Sequence, residues 1–158
     1  MIKYSLLTLG VAVALSAPAF ASTFQATQTV EVAKVSIDET GEEIKTFIEA
    51  VEISPGDEVR YRLTYDNQTA NEIVDVNLVM PVPVEITFIE GSAMTDGISV
   101  LYSADEGESF SRRSDVSVLA GDAERIATSD EITHIKWTFT EAIATGETGE
   151  ISFRGILQ

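Results

Sequence analysis

The fold is decided by a stretch that reads PGDEVRYRLTYDN from Pro55 to Asn67. Its polar and apolar side chains alternate strictly, which is the period of a β-strand with one buried and one solvated face. Turn residues close it at both ends, with Pro55-Gly56 before it and Asp66-Asn67 after it. The apolar set is Val59, Tyr61, Leu63 and Tyr65, and the polar set is Glu58, Arg60, Arg62 and Thr64. The pattern predicts a core strand from Asp57 to Asp66.

The same alternation recurs along the chain from Thr27 onward, and no segment keeps a helical period. Short runs with period two, separated by Gly, Pro, Asn and Asp, are typical of an all-β domain. The sequence therefore predicts an immunoglobulin-like antiparallel β-sandwich of about seven to nine strands. The apolar positions are Val30 and Val32; Val74, Val76, Leu78 and Met80; Ile86 and Phe88; Ile98, Val100 and Tyr102; Ile135, Trp137 and Phe139; and Ile151 and Phe153.

Two connecting segments can also be assigned from the sequence. The polar run from Asp38 to Glu43 separates the strand candidates Thr29–Val35 and Ile44–Ile48, so it is predicted to be a hairpin tip. The segment from Leu119 to Asp130 has the weakest pattern and is expected to be a long surface loop.

The N-terminus has the three parts of a secretory signal. Residues 1–21 contain the basic Lys3, an apolar run over Leu6–Leu15 and the small-residue end Ala19-Phe20-Ala21. The apolar run is too short to span a bilayer, so we expect a cleaved signal peptide and no membrane anchor in the mature chain. What remains, residues 22–158, is predicted to be one domain, exported to the periplasm or to the extracellular or cell surface.

The mature chain is strongly acidic and contains no cysteine. It keeps nine Lys and Arg residues against 26 Asp and Glu residues, a formal charge of −17, because Lys3 leaves with the signal. Such a field repels nucleic acid, so no nucleic-acid partner is expected. Weak association of divalent cations with the acidic surface is expected. Without cysteine there is neither a disulfide framework nor a lipid-modified N-terminus.

Candidate catalytic and metal-binding residues are few. The single histidine, His134, alternates with core positions and is expected to face outward beside Lys136. The carboxylate pairs at Asp57-Glu58 and at Asp105-Glu106 with Glu108 have the residue types of a glycosidase or a calcium site. The spacing from Asp105 to Glu108 does not match an EF-hand calcium loop, and with 26 acidic residues chance proximity explains any pair. We therefore assign no catalytic, cofactor-binding or metal site, and we expect no enzyme and no cofactor.

Two further patterns have a functional and a structural interpretation. Trp137, Phe139 and Phe153 are the residue types of a sugar-stacking platform, but their period of two favours the core. The triplet Asn67-Gln68-Thr69 is a glycosylation sequon, but its position after a strand and the short signal favour turn chemistry.

The stretch from Pro55 to Asn67 resembles the signature of the conserved-repeat domain of unknown function eleven, which occurs in bacterial and archaeal surface proteins. The similar region covers about residues 51–157 in consistent order. The resemblance implies an immunoglobulin-like sandwich in a cell-envelope or extracellular setting, and it brings no catalytic residues. Many members carry repeated copies, whereas this chain has one. The further similar segments are 75–83, 88–93, 102–110, 133–137 and 146–154.

These observations favour an exported, non-enzymatic structural or interaction module of the bacterial cell envelope. A protein partner, or self-association through a sheet edge, is expected. The alternative is a subunit of an extracellular filament or matrix that assembles by β-strand addition, since Ser22–Val35 combines a polar start with alternating valines. If Ser22–Val35 instead completes the sandwich of its own chain, it is not free to pair with a neighbour, and the reason to expect a filament is removed.

Overall fold

The computed structural model describes residues 23–158, so the predicted signal peptide, residues 1–21, lies outside the described residues. The described chain is all-β, as expected, with ten strands against the seven to nine predicted. It has two 3-10 turns, Arg113–Asp115 and Ser129–Glu131. The strands are β1 Phe24–Ile37, β2 Glu43–Glu49, β3 Glu58–Asn67, β4 Asn77–Pro81, β5 Ile86–Phe88, β6 Ile98–Ser103, β7 Ser117–Ala120, β8 Ala123–Ile126, β9 His134–Phe139 and β10 Thr148–Leu157.

Two antiparallel sheets pack face to face. One has five strands in the order β2-β1-β3-β10-β5, and the other has three in the order β4-β9-β6. Tyr65 of β3 meets Phe139 of β9 edge-on at 5.1 Å, and Phe88 of β5 meets Tyr102 of β6 at 5.5 Å between ring centroids. These contacts join the inner faces of both sheets into one core, which is the sandwich arrangement. Strands β7 and β8 form a separate hairpin.

The central strand β3 has the predicted alternation along its whole length, with every second residue buried. The aromatic residues predicted to be core are in the core. Trp137 is fully buried and its Nε1 donates to the carbonyl of Ala93 at 3.0 Å. Phe153, also fully buried, stacks on Tyr61 with centroids 4.9 Å apart. These rings therefore stabilise the sandwich and are not available for stacking on a sugar.

The predicted loop from Leu119 to Asp130 is wrong as far as Ile126. Strands β7 and β8 pair from Ser117 opposite Ile126 to Ala120 opposite Ala123, with a two-residue turn between them. All four residues of β8 are exposed. A strand without a buried face has no need for apolar residues at every second position, so the sequence of β8 carries no strand signal.

The predicted strand around Val74 starts later than expected. Val74 is exposed, and β4 begins at Asn77. Between them Asp75 has a φ of 55°, in the left-handed region that is incompatible with a strand. The buried positions Val76 and Met80 are nevertheless where the pattern placed them.

Within residues 23–158, no helix has the length and apolar character needed to cross a membrane.

Candidate functional site

His134 opens β9 and is half-buried. The backbone of Gly107 lies over its ring, so that a Cβ at position 107 would be 3.4 Å from the imidazole Cγ. Its Nδ1 is buried and makes no hydrogen bond within the described part of the chain. A general base must reach a nucleophile or a substrate proton. The ring instead packs beneath a loop, so the expected exposed histidine is more enclosed than the alternation predicted.

The candidate carboxylates Asp57 and Glu58 each have a structural partner. Asp57 Oδ2 accepts a hydrogen bond from the amide of Ser54 at 2.8 Å. Glu58 accepts from Lys45 Nζ at 2.6 Å and from Arg154 Nη1 at 2.7 Å. Burial acts to raise the pKa of Glu58, but its bonds to Lys45 and Arg154 outweigh that effect and the pKa lies below its ordinary value. A catalytic acid needs a raised pKa, so Glu58 is suited to ion pairing.

Asp105 organises its own loop. Its Oδ1 accepts from the hydroxyl of Ser103 at 2.6 Å and from the amide of Ser109 at 3.0 Å, and its Oδ2 accepts from the hydroxyl of Ser109 at 2.5 Å. These bonds from Ser103 and Ser109 lower the pKa of Asp105 to about 2. Glu106 and Glu108 are exposed beside it. Among residues 23–158, no three His, Asp or Glu side chains come together as a metal ion would require.

The sequon asparagine is fully buried. Asn67 Nδ2 donates to the carbonyls of Ile143 at 2.8 Å, Asn71 at 3.0 Å and Ala144 at 3.1 Å. Its Oδ1 accepts from the amide of Thr69 at 3.0 Å and from the same residue's hydroxyl at 2.6 Å. The side-chain amide is thus occupied in the turn that follows β3, as the turn interpretation predicts.

An ion network on the outer face of the five-stranded sheet surrounds the buried Glu31. Its carboxylate pairs with Arg60 at 2.5 Å and with Arg62 at 2.7 Å. The ring of Phe47 covers the Arg60 guanidinium at 4.5 Å from its centroid. Because Glu31 is only 6% exposed, the pairs are shielded from water more than ordinary surface pairs. Side chains of β1, β2 and β3 are thereby held together. Period-two reasoning missed this network, because it places Glu31 on the solvated face.

The hairpin of β1 and β2 extends beyond the rest of its sheet. Strand β1 pairs with β3 from Phe24 to Val32, whereas its last part is paired, among the described residues, with β2 alone. We call residues 33–49 the ribbon. Its tip is fixed by Asp38, whose Oδ1 accepts from the amides of Thr40 at 2.8 Å and Glu42 at 2.9 Å. The predicted hairpin is therefore confirmed, but β1 is longer than Thr29–Val35.

The edge of the ribbon formed by β2 is open, because β2 stands last in the order of its sheet. The amide of Ala50 donates to the carbonyl of Val30, and the amide of Asp38 donates to that of Glu42. Both bonds join residues that lie opposite each other when the register of β1 and β2 is continued by one position at each end. Since bonded and non-bonded pairs alternate in an antiparallel ladder, the even-numbered residues of β2 bond to β1. The N–H and C=O groups that point away belong to Glu43, Lys45, Phe47 and Glu49.

The ribbon exposes large apolar side chains on both faces. Ile44 and Ile48 lie on the face that continues the core side of the sheet, opposite Ser36 and Val32, and are 44% and 48% exposed. On the other face Val35 and Ile37 are 58% and 62% exposed. Apolar residues that cluster on a projecting element mark an interaction surface more often than isolated ones do.

A shallow cleft of about 210 Å³ lies at the base of the ribbon, on the side of Ile48. It is lined by Val32, Lys34, Ile48, Glu49, Val51 and Glu52.

The sequence of β1 indicates that this strand extends beyond the buried part of its sheet. The apolar positions of β1 change phase between Val32 and Val35, from even to odd numbers, so one face of the strand cannot be buried throughout.

The fold and this surface define the chain as an antiparallel β-sandwich protein with a projecting ribbon that has an open edge. Comparison with models of protein families, with curated proteins and with solved structures found no match.

Proposed function

We propose that this chain is an exported, non-enzymatic interaction module of the bacterial cell envelope. The observation that carries the proposal is the ribbon, an open strand edge with exposed apolar side chains held out from a packed sandwich. Open edges of this kind are a common means of protein recognition. The predicted signal peptide and the resemblance to a surface-protein domain family support the periplasm or the cell surface as its location.

The exposed apolar residues of the ribbon and the contacts that fix its conformation support the same proposal. Exposed apolar residues on a free edge are an aggregation hazard, which proteins avoid unless the edge is used. Here the ribbon is also fixed at its tip by Asp38 and on its outer face by the contact of Phe47 with Arg60. A partner would therefore meet a preorganised strand, which lowers the entropic cost of binding.

Site-specific photo-cross-linking in cells that export the protein tests the proposal. We expect a photoreactive residue at Ile44 or Ile48 to give an adduct of defined mass. The matched control is the same residue at Leu119 or Ile126, which are exposed apolar positions of the β7-β8 hairpin. Equal labelling from both places contradicts a role for the ribbon. Turnover of an ester, glycoside or peptide substrate that one point substitution abolishes would overturn the non-enzymatic part.

A second candidate is a filament or matrix subunit that assembles by strand addition. The open edge of β2 favours it, because a further strand can join there without displacing another. The segment proposed as a donor, Ser22–Val35, is paired in this structure with β3 of the same chain from Phe24 to Val32, so donation requires exchange. Light scattering and electron microscopy over a range of protein concentrations test it. A monomer at every concentration argues against assembly.

A further inference from the structure

We infer that the open edge of β2 binds an extended segment of a partner protein in which apolar residues are flanked by lysine or arginine. This inference rests on the proposed function and narrows it to one edge and one partner chemistry. It depends on three features of the ribbon: its backbone groups, the side chains on its two faces and its charge.

Strand β2 is the longest edge strand of the two described sheets. The opposite edge of the same sheet, β5, has three residues against seven in β2. In the other sheet β4 ends at Pro81, which has no N–H, and β6 already exchanges two hydrogen bonds with Ser111 through Tyr102. Among the edge strands of residues 23–158, β2 offers the longest proline-free row in which alternate N–H and C=O groups point outward.

The side chains of β2 specify what an added strand must carry. Residues opposite each other on neighbouring strands share a face, so the added strand meets Ile44 and Ile48 on one face. On the other face it meets Glu43 and Glu49 at the two ends. Between them on that face lie Lys45, whose ammonium is already paired with Glu58, and Phe47. The complementary segment therefore has a basic residue, an apolar residue, three further residues, an apolar residue and a basic residue.

The charge of the ribbon disfavours a second copy in the register that pairs the two β2 strands over their full length. The ribbon has five carboxylates and two ammonium groups, and the whole chain has a formal charge of −16. A two-fold antiparallel pair of β2 strands centred on Thr46 places Glu43 of each copy opposite Glu49 of the other. Like charges directly opposite each other destabilise a strand pair, whereas a basic segment removes the conflict.

A designed peptide tests the inference on the exported protein. The probe is acetyl-Lys-Val-Thr-Thr-Thr-Val-Lys-amide with both valine amides N-methylated, so that only the edge directed at β2 can pair. The first control carries the methyl groups on the outer two threonines instead. The second control replaces both lysines with glutamate. Binding is followed by the amide chemical shifts of isotope-labelled protein, which also report the site.

We expect the probe to shift the amides of residues 43–49 and neither control to do so, with weaker binding at high salt. In the protein, K45P removes one outward N–H and should weaken binding about tenfold, the effect of one lost hydrogen bond. K45A loses the same side chain but keeps the outward N–H. Because no backbone hydrogen bond to the probe is lost, its affinity for the probe should stay within about twofold of that of the parent chain.

Equal binding of probe and controls, shifts centred outside the ribbon, or equal affinities of K45P and K45A would each overturn the inference. A chain that dimerises through β2 and excludes the probe would also overturn it. If the probe does not bind but the ribbon still gives cross-links in cells, the inference about the partner segment is wrong and the proposed interaction module is retained. Enzymatic turnover, in contrast, removes the proposed function whatever the peptide does.

Discussion

Gly149 of β10 lies directly opposite Tyr65 of β3, and the tyrosine ring fills the space that a side chain at position 149 would need. A Cβ on Gly149 would overlap the Tyr65 hydroxyl oxygen and would lie 2.5 Å from Cζ. The ring is fixed edge-on against Phe139 and stacked against Phe24, with centroids 5.1 and 6.3 Å away. Glycine is therefore a packing requirement at this position of a core strand.

We expect G149A to destabilise the protein by about 1–3 kcal/mol, because the ring can move only by disturbing its aromatic neighbours. Urea unfolding followed by the fluorescence of the single tryptophan, Trp137, measures the change. In a Y65L background the obstructing ring is absent, so G149A should cost less there. An equal cost in both backgrounds would show that Tyr65 is not the obstacle.

The ion network predicts unequal effects for two glutamates that contact the same arginine. E31Q leaves Arg60 and Arg62 without their buried carboxylate and should cost about 1–3 kcal/mol, less than a fully buried pair because both arginines are partly solvated. E150Q removes the contact of the 56% exposed Glu150 with Arg62 and should change stability by less than about 0.5 kcal/mol. Urea unfolding compares the two variants. Similar losses would mean that burial of Glu31 contributes nothing.

The turn after β3 depends on an amide and not on a carboxylate. N67D places a negative charge against three carbonyl oxygens and removes their donor, so we expect a loss of about 3–5 kcal/mol at neutral pH. Thermal unfolding by circular dichroism measures it. N71D, an exposed change in the same turn, is the control and should be nearly neutral. A stable N67D protein would contradict the assigned role of the side-chain amide.

The titration of Asp105 makes the stability of the protein at acid pH depend on the loop between Ser103 and Ser109. Its pKa in the folded chain is about 2, below the value of about 3.9 in an unfolded chain. The folded state therefore gains stability from the ionised form above pH 4, and this gain is lost as the pH falls from about 4 to about 2. We expect the parent protein to lose more stability over that range than D105N, which does not titrate. Acid titrations of the unfolding midpoint measure this difference.

The matched variant for this comparison is E108Q, in the same loop. It should follow the acid response of the parent chain, because Glu108 is exposed and, within residues 23–158, its carboxylate accepts no hydrogen bond that holds the loop. If D105N and the parent chain respond identically to acid, the bonds from Ser103 and Ser109 do not set the pKa of Asp105.

The sandwich strands could be predicted because burial of one face forces a period of two. Strand β3 and the core positions Trp137 and Phe153 follow that rule directly. The rule fails where no face is buried, as in β8, and where a local conformation interrupts a strand, as at Asp75. Sequence reasoning has no means of detecting a φ of 55° at an aspartate.

The candidate surface was only partly predictable. The turn from Asp38 to Glu43 identifies the hairpin, and the change of apolar phase before Val35 indicates that it leaves the core. The free edge of β2 follows from the order of strands in the sheet, which depends on long-range pairing between β1 and β3. The burial of Glu31 likewise depends on two arginines about thirty residues away, at Arg60 and Arg62.

Strand β1 runs without interruption from the middle of the sheet into the ribbon. Tension applied along β2 therefore loads its hydrogen bonds to β1 together, in shear, and passes through β1 to β3 and β10 in the centre of the sheet. A pull at right angles to the strands, in contrast, opens the same ladder one bond at a time. An attachment at this edge is mechanically anisotropic: it resists sliding and yields to peeling.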